Sequence, residues 1–206
     1  GDGGFRTLLS VHLGLNSLTL LEFGSKEQKR KYLVPQARGE KIACFGLTEP
    51  NAGSDVASME STARRDGDRY VLNGQKEWIS YAGVADHFLV FAKTDKAAGH
   101  RGISAFLLDR SMPGIETRDI ERKLGVWAGS TGEIFLSDVE VGAENRLGEE
   151  GEGFKIAMYA LDMGRFTVAA GALGTIRAAM DAAVKYANQR ATFGQPIGRY
   201  QFVQDM

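Results

Sequence analysis

Leu8, Leu9, Val11, Leu13, Leu15, Leu18, Leu20 and Leu21 dominate residues 5–22, a pattern that predicts a buried helix interrupted at Gly14. Ser25 followed three residues later by Gln28 has the form of a capping box. It opens a short helix through Tyr32 and Leu33 that Pro35 is expected to close. From Lys41 the period shortens. Glu60–Ala63 and Arg69–Leu72 flank Asp66-Gly67-Asp68 as a hairpin, Asn73-Gly74 reads as a second turn, and Lys76–Ser80 as a further strand. Phe88–Ala92 and Ile103–Leu108 are nearly continuous apolar runs, as in strands covered on both faces. Arg118–Ile120 and Glu133–Val141 complete a series of short strands that predicts an antiparallel barrel or sandwich.

Helical spacing returns at Gly153. Leu161, Val168, Ala172, Ile176, Ala179, Ala183 and Ala187 mark one apolar face, and Phe166, Ala169, Leu173, Met180 and Val184 a second. So broad a surface predicts burial against more than one neighbour, in a bundle or an oligomer core. The helix is expected to end near Gln189-Arg190, with Thr192-Phe193-Gly194 and Pro196 as its stop. The order is an α+β arrangement of three pieces: helical residues 1–40, β residues 41–148, and residues 149–206 opening a helical bundle.

Composition narrows the classes. Of 206 residues, 43% are apolar and 25% charged, and the net charge is -1, so no polyanion partner such as nucleic acid is indicated. Cys44 is the single cysteine, which excludes an intrachain disulfide and fits a reducing compartment. His12, His87 and His100 lack metal-ligand spacing, and no apolar run reaches membrane-spanning length. The opening Gly1-Asp2-Gly3-Gly4 suggests a start partway into a larger protein.

The candidate chemistry gathers at Phe45–Asp55, FGLTEPNAGSD. Proline fixes one torsion, while Gly and Asn tolerate left-handed backbone, so this is a shaped turn after a short strand. It can aim backbone N–H groups and the Thr48 and Ser54 hydroxyls at one point, a cradle for an anion or a flat polar heterocycle. Plain turn chemistry is the other reading of the same residues.

FGLTEPNAGSDV, GDRYVLNGQKEWIS, STGEIFLSDVEV, LDMGR and RATFGQPIGRYQ, in that order, resemble the acyl-CoA dehydrogenase family. The resemblance implies an α-helical domain, a β-barrel domain and an α-helical bundle. This chain covers the end of the first, all of the second and the start of the third. It implies FAD, an acyl-CoA substrate of fatty-acid β-oxidation, and electrons passed to an electron-transfer flavoprotein. In the family's reaction a carboxylate takes the α proton, a hydride leaves the β carbon for flavin N5, and a trans-2-enoyl thioester forms. The family's homotetramers or homodimers are cytoplasmic in bacteria and lie in the mitochondrial matrix in eukaryotes, with no membrane or nucleic-acid partner.

Residue by residue, the resemblance places Phe45, Leu47 and Thr48 beside the flavin's N1/C2 carbonyl end, where donors favour hydride uptake. Gly53 and Ser54 match positions near the FAD pyrophosphate, Ser54 also near the CoA chain. Trp78, Ile79 and Ser80 match the family's Trp-Ile-Ser/Thr, with the indole beside the flavin ring and the hydroxyl toward N5; a core aromatic is the plain alternative for Trp78. Lys76 and Glu77 read as a solvated charge pair. Asp162 and Arg165 match positions lining the acyl-CoA pocket, with a helix-surface ion pair as the alternative. Arg190, Thr192, Phe193 and Gln201 match a segment that reaches a neighbouring subunit's FAD, where arginine's fork suits phosphate; Arg190 could equally cap the helix.

No catalytic residue is assigned within the chain. Where some branches carry the catalytic Glu, one residue before Arg165, this sequence has Gly164, so the base is expected beyond Met206. A flavin oxidase or DNA-repair-associated relative of the same fold, and a non-catalytic truncated module, are the competing functions.

Overall fold

The computed structural model describes residues 3–206. The chain forms two compact units, one reaching to Thr167 and the other covering Val168–Met206.

In the first unit α1 (Gly3–Leu9), a π-helical stretch (Ser10–Ser17) and α2 (Leu18–Phe23) follow without a break. Gly14 does not interrupt this helix. A Cβ there would lie 3.0 Å from Thr167 Oγ1 and 3.5 Å from Gly164 Cα, so its smallness serves a close helix crossing. The capping box forms: Gln28 N donates to Ser25 Oγ at 3.2 Å, and Ser25 N to Gln28 Oε1 at 3.0 Å. It starts α3 (Lys26–Gln28), which continues through wide turns over Lys29–Leu33 into α4 (Val34–Ala37). Pro35 lies inside α4 rather than closing a helix.

Eight strands make one sheet: β1 (Ala43–Gly46), β2 (Thr62–Asp66), β3 (Arg69–Ser80), β4 (His87–Lys93), β5 (Ile103–Asp109), β6 (Ile115–Asp119), β7 (Thr131–Gly142) and β8 (Arg146–Leu147). Their order is β6-β7-β3-β2-β4-β5-β8, with β1 laid parallel against β4. The ladder ends at β6 and β8, so the sheet is open and not the closed barrel offered as one expectation. Asn73-Gly74 is not a turn either. β3 runs through it, with a register shift between Leu72 and Gly74. Gly74 has φ 150°, and a Cβ there would sit 2.1 Å from Ser61 Oγ, so only glycine fits.

Strand alternation splits the core between the sheet's two faces. Phe45, Leu89, Phe91, Ala105 and Leu107 point to one side, where Val11, Leu20, Tyr32, Ile156 and Ala160 of the helices cover them. Cys44, Phe88, Val90, Phe106 and Leu108 point to the other and pack on Leu72, Ile134, Leu136 and Val139. Both faces are buried, which explains why β4 and β5 read as continuous apolar runs.

Helix α5 (Gly153–Gln189) forms where its periodicity lies; it begins in the first unit and supplies most of the second. Beyond it lie the β9–β10 hairpin (Ala191–Thr192, Gln195–Pro196) and α6 (Gln201–Asp205). Tyr200 Oη holds Thr192 O at 3.0 Å, and Ile197 N holds Arg190 O at 2.8 Å. Phe166, Leu173, Ile176, Met180 and Val184 on α5 are exposed in this chain. Among the described residues no helix is long and apolar enough to cross a membrane.

Candidate functional site

The FGLTEPNAGSD segment leaves β1 through buried Leu47 and half-buried Thr48. It then folds back at Pro50-Asn51, where Glu49 N donates to Ala52 O at 3.0 Å and Ala52 N to Glu49 O at 3.2 Å. Phe45 stands edge-on to Phe91, ring centroids 5.1 Å apart, and so anchors the base of the loop. Gly53 and Ser54 lie exposed beyond the turn, and a Cβ added at Gly53 would meet nothing within 4 Å.

Trp78, Ile79 and Ser80 close β3 beside this loop. Lys76 pairs with Ile134 and Ile79 with Gly132, so Glu77 and Trp78 together face one partner residue. That is a β-bulge, and it re-aims a side chain. Trp78 sits at φ 60°, with its residue 59% exposed, while Ile79 is buried and Ser80 half-buried. Tyr81 follows at φ 65°. Left-handed aromatic residues cost about 1–3 kcal/mol each and concentrate at functional sites. Glu77 N donates to Thr48 O at 2.8 Å, which locks the bulge to the loop. Thr48 N–H and Oγ1 form no hydrogen bond among the described residues. An apolar floor, two unused Thr48 donors, an outward indole and the Ser80 hydroxyl therefore gather at one end of the sheet. The set suits a flat aromatic ring with polar edges.

The expected solvated Lys76–Glu77 pair does not exist. Lys76 is completely buried and its Nζ lies 2.6 Å from Glu49 Oε1, whose side chain is 4% exposed. Lys76 keeps the inward face of Leu72 and Gly74, and the bulge that follows it turns Trp78 out. Burial pushes the Lys76 ammonium down to about 8, against the pull of Glu49. Burial alone would raise Glu49, but the Lys76 charge and the Ser61 and Glu60 N–H groups hold it below the usual carboxylate range.

Asp162 and Arg165 form a helix-surface ion pair, 2.7 Å long with both side chains about two-thirds exposed. Between them a Cβ on Gly164 would lie 2.5 Å from Leu15 Cδ2, so the π-helical stretch passes where a larger residue would stand. Arg190, Thr192, Phe193 and Gln201 belong to the second unit. There Phe193 has φ 47° and is 95% exposed, Thr192 is half-buried, and Gln201 opens α6 at the surface.

Arg6 on α1 carried no signal in the sequence. Its Nη1 is buried and has no hydrogen-bond partner among the described residues, and its Nη2 reaches only Thr7 Oγ1, at 3.4 Å. The same helix start meets the bulge, since Tyr81 Oη donates to Gly4 O at 2.5 Å.

Models of the acyl-CoA dehydrogenase N-terminal, middle and C-terminal domains match residues 1–40, 44–139 and 151–206, in that order. The chain belongs to the acyl-CoA dehydrogenase family. It is 46% identical to a glutaryl-CoA dehydrogenase of Desulfococcus multivorans, covering all of this chain and 53% of that protein. It is equally identical to a short-chain specific acyl-CoA dehydrogenase of Megasphaera elsdenii, covering 98% of this chain and 53% of that one. Among solved structures, a chain described under the electron transferring flavoprotein of Acidaminococcus fermentans superposes with a TM-score of 0.96 at 48% identity, covering 99% of this chain and 54% of that one. A glutaryl-coenzyme A dehydrogenase in complex with glutaryl-CoA gives 0.95 at 46% identity, over 100% of this chain and 52% of that one. A Mycobacterium smegmatis glutaryl-CoA dehydrogenase in complex with FADH2 gives 0.90 at 38%, over 98% and 51%. This acyl-CoA dehydrogenase chain thus spans about half the length of the relatives it matches.

Proposed function

We propose that the whole protein is an FAD-dependent acyl-CoA dehydrogenase acting on short acyl thioesters, and that this chain supplies the seat of the flavin ring. The observation that carries this is the Glu77 N–Thr48 O hydrogen bond, which brings the unused donors of Thr48 and the outward Trp78 to one place. When bound, the flavin supplies the two-electron acceptor for oxidation of the Cα–Cβ bond. Thr48, Trp78, buried Ile79 and half-buried Ser80 would hold its ring. The exposed Gly53 and Ser54 would meet the pyrophosphate and the CoA chain. The exposed Asp162–Arg165 pair would face the acyl-CoA, and Arg190, Thr192, Phe193 and Gln201 would reach the flavin of a neighbouring subunit in a homotetramer or homodimer. A base from outside these 206 residues takes the α proton, since Gly164 stands where a helix-borne carboxylate would be. Electrons leave to an electron-transfer flavoprotein, in the bacterial cytoplasm or the mitochondrial matrix.

Arg6 favours a second reading of the substrate, a dicarboxylic acyl thioester. A guanidinium cannot shed its proton, so a buried Nη1 without a partner among the described residues would be matched by a carboxylate at the far end of the acyl chain. The relatives include both classes, glutaryl-CoA and short-chain specific enzymes.

Turnover tests the reaction. The full-length protein, given butyryl-CoA or glutaryl-CoA and an artificial electron acceptor under anaerobic conditions, is expected to form a 2-enoyl thioester. Flavin-replete protein that forms none from either substrate would refute the reaction.

A further inference from the structure

We propose that Lys76 and Glu49 are a positioning pair that fixes the direction of the Thr48 peptide donors, an inference that rests on the flavin reading above. Three attachments hold residues 47–49 from beneath. Lys76 Nζ donates to Leu47 O at 3.4 Å and to Glu49 Oε1 at 2.6 Å, and Glu77 N donates to Thr48 O at 2.8 Å. The Glu49 carboxylate is itself fixed, taking the N–H groups of Glu60 and Ser61, the latter at 3.1 Å.

Peptide geometry turns this into orientation. In a planar trans peptide the C=O and the following N–H point in opposite directions. Drawing the Leu47 carbonyl onto the buried ammonium therefore turns the Thr48 N–H away from the core, outward from the loop. Lys76 is also the last residue in register before the bulge, so the ammonium that sets the loop also anchors the strand from which Trp78 swings out. One buried charge thus couples both halves of the ring seat. Stability alone does not call for it, because a buried ion pair is often replaced by apolar side chains of similar volume without loss. What apolar side chains cannot do is hold a carbonyl and a carboxylate in fixed directions.

The test uses the full-length protein and the double variant Lys76→Met/Glu49→Leu, which fills the same space without charge. Its urea midpoint is expected to fall less than that of Glu49→Ala, because no charge is stranded although the Glu60 and Ser61 N–H groups lose their acceptor. FAD is expected to bind about tenfold or more weakly, the loss of a charged hydrogen-bond network, with a displaced visible flavin band. In flavin-free protein the Glu77 amide is expected to exchange with solvent faster. Unchanged FAD affinity and unchanged Glu77 exchange would overturn the proposal, and so would lost stability with wild-type affinity and band position. If the double variant does not fold, Glu49→Gln decides: its single acceptor oxygen cannot serve both Lys76 Nζ and the Glu60 N–H, so wild-type affinity and exchange would be fatal. Wild-type protein that takes up no FAD would sink the flavin reading, while the Glu77 exchange comparison still decides whether the pair orders the loop.

Discussion

In the full-length protein, Arg6→Ala is expected to lower kcat/KM for glutaryl-CoA about a hundredfold while changing that for butyryl-CoA less than about threefold. Among the described residues, Arg6 Nη1 is a buried donor with no acceptor, and its other terminal nitrogen has only a long contact to Thr7. A substrate carboxylate desolvated against such a donor gains a charge-assisted bond, and truncating one side strands the other charge, a loss of about 2–5 kcal/mol. A methyl-ended chain never makes that bond, so its turnover should not need it. The readout is the ratio of the two specificity constants. An equal fall for both substrates would make Arg6 a structural residue, and no fall for either would remove it from the acyl pocket.

The second large effect is on stability. Glu49→Ala strands Lys76, which is completely buried, and removes the acceptor shared by the Glu60 and Ser61 N–H groups. Breaking a buried pair from one side costs about 3–5 kcal/mol, so the urea midpoint at neutral pH should fall steeply. The sign of the pH dependence follows from Lys76. Its folded value is already down near 8 against an ordinary 10.5, and losing Glu49 lowers it further. The unfolded chain then binds the extra proton, so the variant regains stability as pH rises through that window. Urea unfolding at pH 7 and pH 9 checks this. A deficit that grows with pH would mean that Lys76 is not the stranded charge.

Much of this was legible in the residues. The capping box at Ser25, the long helix from Gly153 and the apolar strands at Phe88 and Ile103 all form where their patterns lie. What misled were positions where tertiary packing overrides a local rule. Gly14 and Gly74 read as breaks, yet one permits a helix crossing and the other the close approach of Ser61 to a continuous strand. Lys76 is the sharpest case. Beside Glu77 and after an apparent turn it looks like surface charge, and only the register of β3 against β7 shows it pointing inward. Its partner lies 27 residues earlier, a separation that no local pattern encodes. Arg6 was silent for the same reason: burial of one nitrogen is a property of the packed helices, not of the segment. The open sheet likewise depends on which strands end the ladder, which strand spacing does not record.

The claim on which all of this turns is that the Thr48 hydroxyl faces the ring of a bound flavin. The flavin reduction potential of full-length Thr48→Ala measures it directly. Loss of one hydrogen bond to a charge-bearing reduced ring should make the potential more negative by about 30 mV, with the fold unchanged. A potential and an FAD affinity both equal to wild type would contradict the account.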